Sequence, residues 1–176
     1  MPKLSAGIAL FRKHTDCVEI LLVHPGGPFF KNKDPGSWSL PKGEYENGAD
    51  PESAAKREFK EETGFELGSS RMIALGEIKQ ASGKIVTAWA VEGDCEPEKI
   101  QSNLFTIEWP PKSGKFRDFP EVDRAGWFSL DAAREKLVGG QRAFLERLAA
   151  IVNRPGFSEA EARELRETSV GKTVEG

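Results

Sequence analysis

Three glutamates crowd into two turns of a segment that reads KREFKEETGF over residues 56–65. Glu58 comes three residues before Glu61 and four before Glu62, so on a helix all three side chains project from one side. Like charges at these spacings repel each other by about 0.2–0.5 kcal/mol per pair. The helix dipole also disfavours anions in a last turn. A helix built only for stability would carry lysine or arginine at these positions.

Two interpretations of this carboxylate cluster follow from the residues. In the first, the three glutamates are solvated surface groups, and Arg57 relieves one of them by reaching Glu61 four residues later. In the second, the counter-charge is a bound divalent cation. Three carboxylates supply the hard oxygen ligands that Mg²⁺ prefers, and Mg²⁺ sites often share ligands with substrate phosphates. Arg57 then holds a ligand carboxylate in position.

The helix that carries the cluster has clear boundary signals. Asp50 is a good N-cap, Pro51 suits the first helical position and Glu52 favours the positive end of the dipole. Gly64 is a natural left-handed stop after the last turn. The sequence therefore predicts a helix over 51–63.

The other elements are predicted from hydrophobic patterns. Strands are expected over 6–12, 17–24, 71–80, 84–93, 104–109 and 125–130, with the first two and the next two paired. Helices are expected over 131–137 and 141–152, and a polar peripheral helix over 158–167 ahead of a tail. Strands with one bounded central helix and helices at the end favour an α/β fold, a mixed sheet sandwiched by helices. We expect one domain over 1–153, followed by a peripheral segment over 154–176.

Two long stretches rich in Gly and Pro, 25–51 and 110–124, are predicted to be loops, and loops of this length tend to be functional. Only SWSL (37–40) within the first of them is considered as a short strand.

Composition narrows the classes of function. Hydrophobic residues make up 38% of the chain and charged residues 30%, which is typical of a globular protein. The net charge of −3 gives no general attraction for duplex nucleic acid or an anionic membrane. Two cysteines and two histidines without zinc-type spacing argue against a structural zinc site. The N-terminal apolar run is too short for a secretory or membrane segment, so a cytoplasmic location is expected.

A known family signature overlaps the glutamate helix. From Gly43, the chain continues through Ala49 to Arg57-Glu58-Phe59-Lys60-Glu61-Glu62-Thr63-Gly64-Phe65. This resembles the signature of the Nudix hydrolase superfamily, G-x5-E-x7-R-E-U-x-E-E-x-G-U, where U is a bulky apolar residue. Every specified position is met except one, since Ala49 stands where the family carries glutamate.

The resemblance implies a Nudix α/β/α sandwich and hydrolysis of a diphosphate by water attack at phosphorus. It implies Mg²⁺ or Mn²⁺ as cofactor, with Glu58, Glu61 and Glu62 as ligands and Arg57 as their orienting partner. A backbone carbonyl of Lys42 or Gly43 would add a further ligand. Family members often take one more carboxylate, as base or ligand, from outside the signature. The candidates here are Glu121 first, then Asp118 and Asp123.

The segment WSLPKGEYENG resembles the W-x-x-P-K-G stretch of the diadenosine polyphosphate hydrolase-like branch. It implies a small-molecule nucleoside polyphosphate substrate, with dinucleoside polyphosphates favoured and damaged nucleoside triphosphates next. Lys42 would contact a phosphate, and Trp38 would either stack on a base or pack in the core. A polyphosphate clamp is considered for the basic residues of the long loops, Lys31, Lys33, Lys112, Lys115 and Arg117. His24 is expected to be structural.

A second hypothesis rests on Ala49. In it, the chain is a degenerate Nudix module that binds a nucleotide or partner without efficient hydrolysis. The intact set of Glu58, Glu61 and Glu62 argues against this alternative, because drift would damage a costly charge cluster first.

Overall fold

The computed structural model describes residues 1–153. The strands are β1 Leu4–Lys13, β2 Val18–Pro25, β3 Lys42–Tyr45, β4 Ile73–Lys79, β5 Ile85–Glu92, β6 Leu104–Glu108, β7 Phe116–Pro120 and β8 Val122–Ser129. The helices are α1 Pro51–Thr63, α2 Leu130–Lys136 and α3 Arg142–Val152, with short 3₁₀ turns at Pro97–Lys99 and Gly139–Gln141. The peripheral helix predicted over 158–167 and the whole segment 154–176 lie outside the described residues.

Strand β1 is the centre of a six-stranded mixed sheet with the order β4-β5-β1-β2-β8. It runs parallel to β5 along most of its length. On its other edge, its first residues pair with β3 and its last residues pair with β2, both antiparallel. This pairing joins β3, the strand that precedes α1, directly to the main sheet.

Helices cover both faces of this sheet. Successive residues of a strand point to opposite faces, so Ile8 and Leu10 pack against Phe59 of α1, whereas Ala9 and Phe11 belong to the core under α3. Both sets are buried. The result is the predicted α/β/α sandwich with a mixed sheet.

The glutamate helix has the predicted bounds. The Asp50 side chain accepts a hydrogen bond from the amide of Ser53 at 3.1 Å and caps the N-terminus. Gly64 follows the last turn with φ of 82°, a left-handed conformation that glycine adopts without steric cost. The two predicted strand pairs, β1–β2 and β4–β5, are also confirmed as antiparallel.

Two loop predictions are wrong. Within 110–124, β7 pairs with β6 to form a separate two-stranded sheet, hereafter the β6–β7 hairpin. Within 25–51, the strand is β3 and not SWSL, whose Trp38 and Ser39 make only isolated bridges to Leu137 and Val23. Lys, Gly and Glu have low strand propensity, but pairing with a neighbouring strand overrides it.

Candidate active site

Glu58 of α1 and Gly43 of β3 are in direct contact. A Cβ at position 43 would stand 1.8 Å from Glu58 Oε2, so only glycine leaves room for this carboxylate. The other oxygen, Oε1, accepts a hydrogen bond from Arg57 Nη2 at 3.2 Å. Glycine at 43 is therefore a steric requirement of the carboxylate cluster.

Glu62 points to the same strand. Its Oε2 accepts a hydrogen bond from the backbone amide of Lys42 at 3.0 Å. Burial raises the pKa of Glu62 to about 8, with repulsion from Glu121 and Glu58 adding to the effect, although the Lys42 amide and ammonium oppose it. The surroundings of Glu62 therefore supply too little positive charge to keep its carboxyl group ionised.

Arg57 lies between two of the glutamates. Besides its bond to Glu58, its Nε is 3.9 Å from Glu61 Oε1, which is the contact expected from the i,i+4 spacing. Burial nevertheless raises the pKa of Glu58, although the hydrogen bond and charge of Arg57 oppose it; repulsion from Glu61 and Glu121 adds smaller contributions in the direction of burial. One guanidinium therefore orients two carboxylates without neutralising the cluster.

Glu121 reaches this cluster from the turn between β7 and β8. The amide of Asn103 donates to the carbonyl of Glu61 at 2.8 Å, and the amide of Glu121 donates to the carbonyl of Asn103 at 2.8 Å. The amide of Gly26 then donates to the carbonyl of Glu121 at 2.9 Å. Burial raises the pKa of Glu121, and Glu61 adds to it by repulsion. Backbone hydrogen bonds thus fix Glu121 beside the end of α1.

The competing acids have other partners. Asp118 accepts a hydrogen bond from the Thr106 hydroxyl across the hairpin. Asp123 lies 2.8 Å from Nδ1 of His24, whose side chain is fully buried and whose Nε2 lies 2.6 Å from the carbonyl oxygen of Lys33. His24 therefore has the expected structural role, and it anchors the loop that contains Lys33.

Trp38 does not offer a ring to a substrate. Only 5% of the residue is exposed, and its ring packs edge-on against Phe128 at 5.0 Å between centroids. The indole nitrogen donates to Asp34 Oδ1 at 2.8 Å. Base stacking by Trp38 is therefore corrected to core packing, the other role considered for it.

Lys42 is placed among the glutamates by β3. Burial lowers the pKa of its side chain, and the charge of Lys84 lowers it further, whereas Glu62, Glu44 and Glu58 favour the ammonium form. The carbonyls of Lys42 and Gly43, one of which the resemblance implies as a further metal ligand, belong to this same strand.

The donor set matches a hard divalent cation in its chemistry. Four carboxylates, Glu58, Glu61, Glu62 and Glu121, influence one another electrostatically, and Gly43 makes room for one of them. As placed, no three acidic, histidine or cysteine side chains within residues 1–153 close around a single point. Arg57 and the Lys42 amide each engage one oxygen of Glu58 and Glu62, respectively.

Sequence reasoning missed Asn103. Its contribution is made entirely by backbone groups, which join Glu61 to Glu121. Backbone hydrogen bonds of this kind carry no residue-type signal, so no sequence pattern could have identified the position.

The chain belongs to the NUDIX domain family, whose profile matches residues 1–148. This confirms the resemblance seen in the signature and the prediction of a diphosphohydrolase enzyme. A relative from Rhodospirillum rubrum named RNA pyrophosphohydrolase is 26% identical over 167 residues, covering 85% of this chain and 91% of its own.

Solved structures share the fold. A Caenorhabditis elegans Ap4A hydrolase in a binary complex superposes with a TM-score of 0.61 at 20% identity, over 84% of this chain and 97% of its own. The NUDIX domain of Shewanella oneidensis NrtR, bound to ADP ribose, gives a TM-score of 0.60 at 17% identity, over 87% of this chain and 90% of its own. At these identities the likeness concerns the fold.

No helix within residues 1–153 has both the length and the hydropathy that a membrane span requires.

Proposed function

We propose that this protein is a Mg²⁺- or Mn²⁺-dependent hydrolase that cleaves a diphosphate bond in a nucleoside polyphosphate, either a dinucleoside polyphosphate or a nucleoside triphosphate. The observation that carries the proposal is the placement of Glu121 against the three α1 glutamates through Asn103. If the glutamates of α1 were only solvated surface groups, nothing would require a turn distant in sequence to place a fourth carboxylate beside them.

The comparisons support the choice of a nucleotide substrate. The relative from R. rubrum is named for RNA pyrophosphate hydrolysis, and the C. elegans neighbour is named for Ap4A hydrolysis. A third protein of the same fold was solved with ADP ribose. The compounds in these three names each contain a nucleoside joined to a diphosphate or to a longer phosphate chain.

Each side chain has a role in this reaction. Glu58, Glu61 and Glu62 would hold the cation, and a backbone carbonyl of Lys42 or Gly43 would complete the set. When bound, the cation neutralises phosphate oxygens and lowers the pKa of a coordinated water. Arg57 keeps the carboxylates of Glu58 and Glu61 in position.

Two further groups would act on the substrate. Glu121 accepts the proton of the attacking water, the new P–O bond forms, and the bridging P–O bond breaks with the electron pair passing to the leaving phosphate. The Lys42 side chain lies close enough to Glu62 and Glu58 for their charges to favour its ammonium form. In the proposed reaction this ammonium contacts a phosphate oxygen.

The alternative, a binding module without hydrolysis, rests on Ala49. This residue is exposed and precedes the N-cap, whereas Glu61 and Glu62 lie at the other end of α1. At 1.5 Å per residue, Pro51 and Glu61 are about 15 Å apart along the helix axis. The departure from the signature therefore leaves the carboxylate cluster intact, which favours the enzyme.

The test is phosphate release, after a coupling phosphatase, from diadenosine tetraphosphate and the common nucleoside triphosphates, with Mg²⁺ or with EDTA. Glu62→Gln removes one charge at constant size, and Glu52→Gln makes the same change at the exposed first turn of α1. We expect turnover that requires the cation, disappears in Glu62→Gln and persists in Glu52→Gln.

Ala49→Glu separates the two hypotheses. An exposed charge at this distance contributes less than about 1 kcal/mol, so we expect its rate to stay within about fivefold of the unmodified protein. If the unmodified protein shows no turnover and the Ala49→Glu variant does, the active site is disabled by the alanine at position 49. Silence of every variant, combined with nucleotide binding that EDTA leaves unchanged, would establish the binding module.

A further inference from the structure

The β6–β7 hairpin has two chemically different faces. Residues that pair directly across an antiparallel ladder share a face. The register pairs Phe105 with Phe119 and Ile107 with Arg117, and the bond from the Trp109 amide to the Lys115 carbonyl continues it. We call this side the aromatic face; it consists of Phe105, Ile107, Trp109, Lys115, Arg117 and Phe119. Both acids of the two strands, Glu108 and Asp118, lie on the opposite face.

The aromatic face begins at the candidate active site. Phe119 is two residues before Glu121, a separation of about 7 Å along an extended chain, and Trp109 lies about 13 Å beyond Phe105 on the partner strand. Position 105 pairs with 119, so Phe105 and Phe119 are the inner rings and Trp109 is the outer one. The face thus extends outward from the group proposed to act on the water.

The loop after β2 forms a second wall. A Cβ on Gly27 would stand 2.8 Å from the tip of Phe105, and the ring of Phe29 packs edge-on against Trp109 at 5.4 Å between centroids. Phe29 nevertheless remains 60% exposed. Further out, the Arg117 guanidinium lies 5.9 Å from the centre of the Phe119 ring. Phe105, Trp109 and Phe119 are thus partly covered, whereas the cations Lys115 and Arg117 on the same face are exposed.

We propose that the aromatic face and Phe29 bind the nucleotides that follow the first one in a single-stranded RNA carrying a 5′ polyphosphate. This inference rests on the proposed function, because it places the terminal diphosphate at the glutamate cluster. Unpaired bases stack on aromatic rings and on arginine planes, and cations between the rings contact the backbone phosphates. A 5′ polyphosphate is what remains on an RNA chain begun from a nucleoside triphosphate.

The arrangement of charge favours RNA over a second nucleoside. In a dinucleoside polyphosphate every phosphate lies between the two nucleosides, so nothing negative extends past the outer base. Here Lys115 and Arg117 lie along the outer part of the face, where an RNA chain still carries one phosphate per nucleotide. The distance of about 13 Å corresponds to about four stacked steps of ~3.4 Å.

The first experiment measures binding without turnover. Fluorescence anisotropy in EDTA follows a 3′-labelled single-stranded hexaribonucleotide with a 5′ monophosphate, which contains no diphosphate to cleave. We expect Phe29→Ala and Trp109→Ala each to weaken binding about 10-fold. Phe116→Ala is the matched control, since Phe116 is 68% exposed on the opposite face; it should bind as the unmodified protein does.

Salt dependence tests the cations. Each phosphate contact on a single strand contributes roughly 0.7 to the slope of log affinity against log salt. The double variant Lys115→Gln/Arg117→Gln should lower that slope by about 1.4. Arg134→Gln, an exposed arginine of α2, should leave it unchanged. An unchanged slope in the double variant would overturn the proposal.

Two comparisons complete the test. The KM for 5′-triphosphorylated RNA should fall with length up to about six nucleotides and then level off, and Phe29→Ala should abolish this fall while hydrolysis of nucleoside triphosphates persists. A KM independent of RNA length, or a Phe29→Ala effect on diadenosine tetraphosphate alone, would overturn the inference. So would equal binding of the same hexaribonucleotide after it is annealed to its complementary strand. If no substrate is hydrolysed, the anisotropy arm still decides whether the face binds RNA, so the two proposals fail separately.

Discussion

Glu61 and Glu121 are sixty residues apart in sequence, and a single residue connects their backbones. Asn103 donates its amide to the carbonyl of Glu61 and accepts the amide of Glu121 at its own carbonyl, each at 2.8 Å. Burial raises the pKa of Glu121, and repulsion from the nearby Glu61 carboxylate raises it further. The last turn of α1 and the turn before β8 are thus one structural unit.

Glu121→Gln should lower kcat with Mg²⁺ by about 100-fold or more, the usual size of a general-base contribution. The backbone bonds that hold the turn do not involve the side chain, so the melting temperature should change little. Asp118→Asn, an acid of the hairpin's opposite face, should retain full activity. Equal losses in both variants would mean that neither carboxylate acts on the water.

Gly43→Ala should abolish most of the activity while leaving the protein folded. The added Cβ would lie 1.8 Å from Glu58 Oε2, so the carboxylate must move, and displacement of a catalytic group by about 1 Å can cost about 100-fold in rate. Gly139→Ala is the control, because a Cβ there meets no atom within 4 Å. Steady-state kinetics and thermal unfolding of both variants check the prediction; normal kinetics in Gly43→Ala would contradict it.

In EDTA, the protein should lose stability as the pH rises from about 4.5 to about 8. The pKa of Glu62 is near 4.5 in the unfolded chain and about 8 in the folded one, so the folded state binds more protons across this window. The free energy of unfolding then falls with pH, by at most about 1.4 kcal/mol per pH unit for one group. The raised pKa values of Glu58 and Glu121 act in the same direction.

Urea unfolding between pH 5 and pH 8 measures this slope. Glu62→Gln should flatten it and make the metal-free protein more stable at pH 8, because the buried charge is gone. Glu52→Gln should keep the slope of the unmodified protein. A slope that survives in Glu62→Gln would assign the effect to other groups.

His24→Ala should destabilise the protein by about 3 kcal/mol. The His24 ring is fully buried, with Nδ1 2.8 Å from the Asp123 carboxylate and Nε2 2.6 Å from the Lys33 carbonyl, so the substitution removes both contacts and leaves a cavity in the core. The loop after β2 loses its anchor and should be cut faster by trypsin at Lys31 and Lys33.

Denaturant unfolding and the time course of proteolysis measure both effects. His14→Ala is the matched control, since the side chain of His14 is 51% exposed. An unaltered cleavage rate at Lys31 and Lys33 in His24→Ala would contradict the anchoring role.

The sequence determined the parts of this protein that depend on local chemistry. The cap at Asp50, the proline at 51 and the stop at Gly64 fix α1 within one short segment, and the spacing of its glutamates puts them on one side. Hydrophobic patterns likewise predicted the β1–β2 and β4–β5 pairs, because each pair is joined by a short turn.

Only the tertiary structure decided the rest of the site. It revealed β7 in a predicted loop, since that strand depends on pairing with β6 more than on its own composition. It buried Trp38, and it placed Glu121 beside the last turn of α1 through backbone bonds to Asn103, whereas Asp118 and Asp123 have other partners. Contacts between residues distant in sequence are set by how the elements pack, and backbone hydrogen bonds are available to every residue type, so no local pattern encodes them.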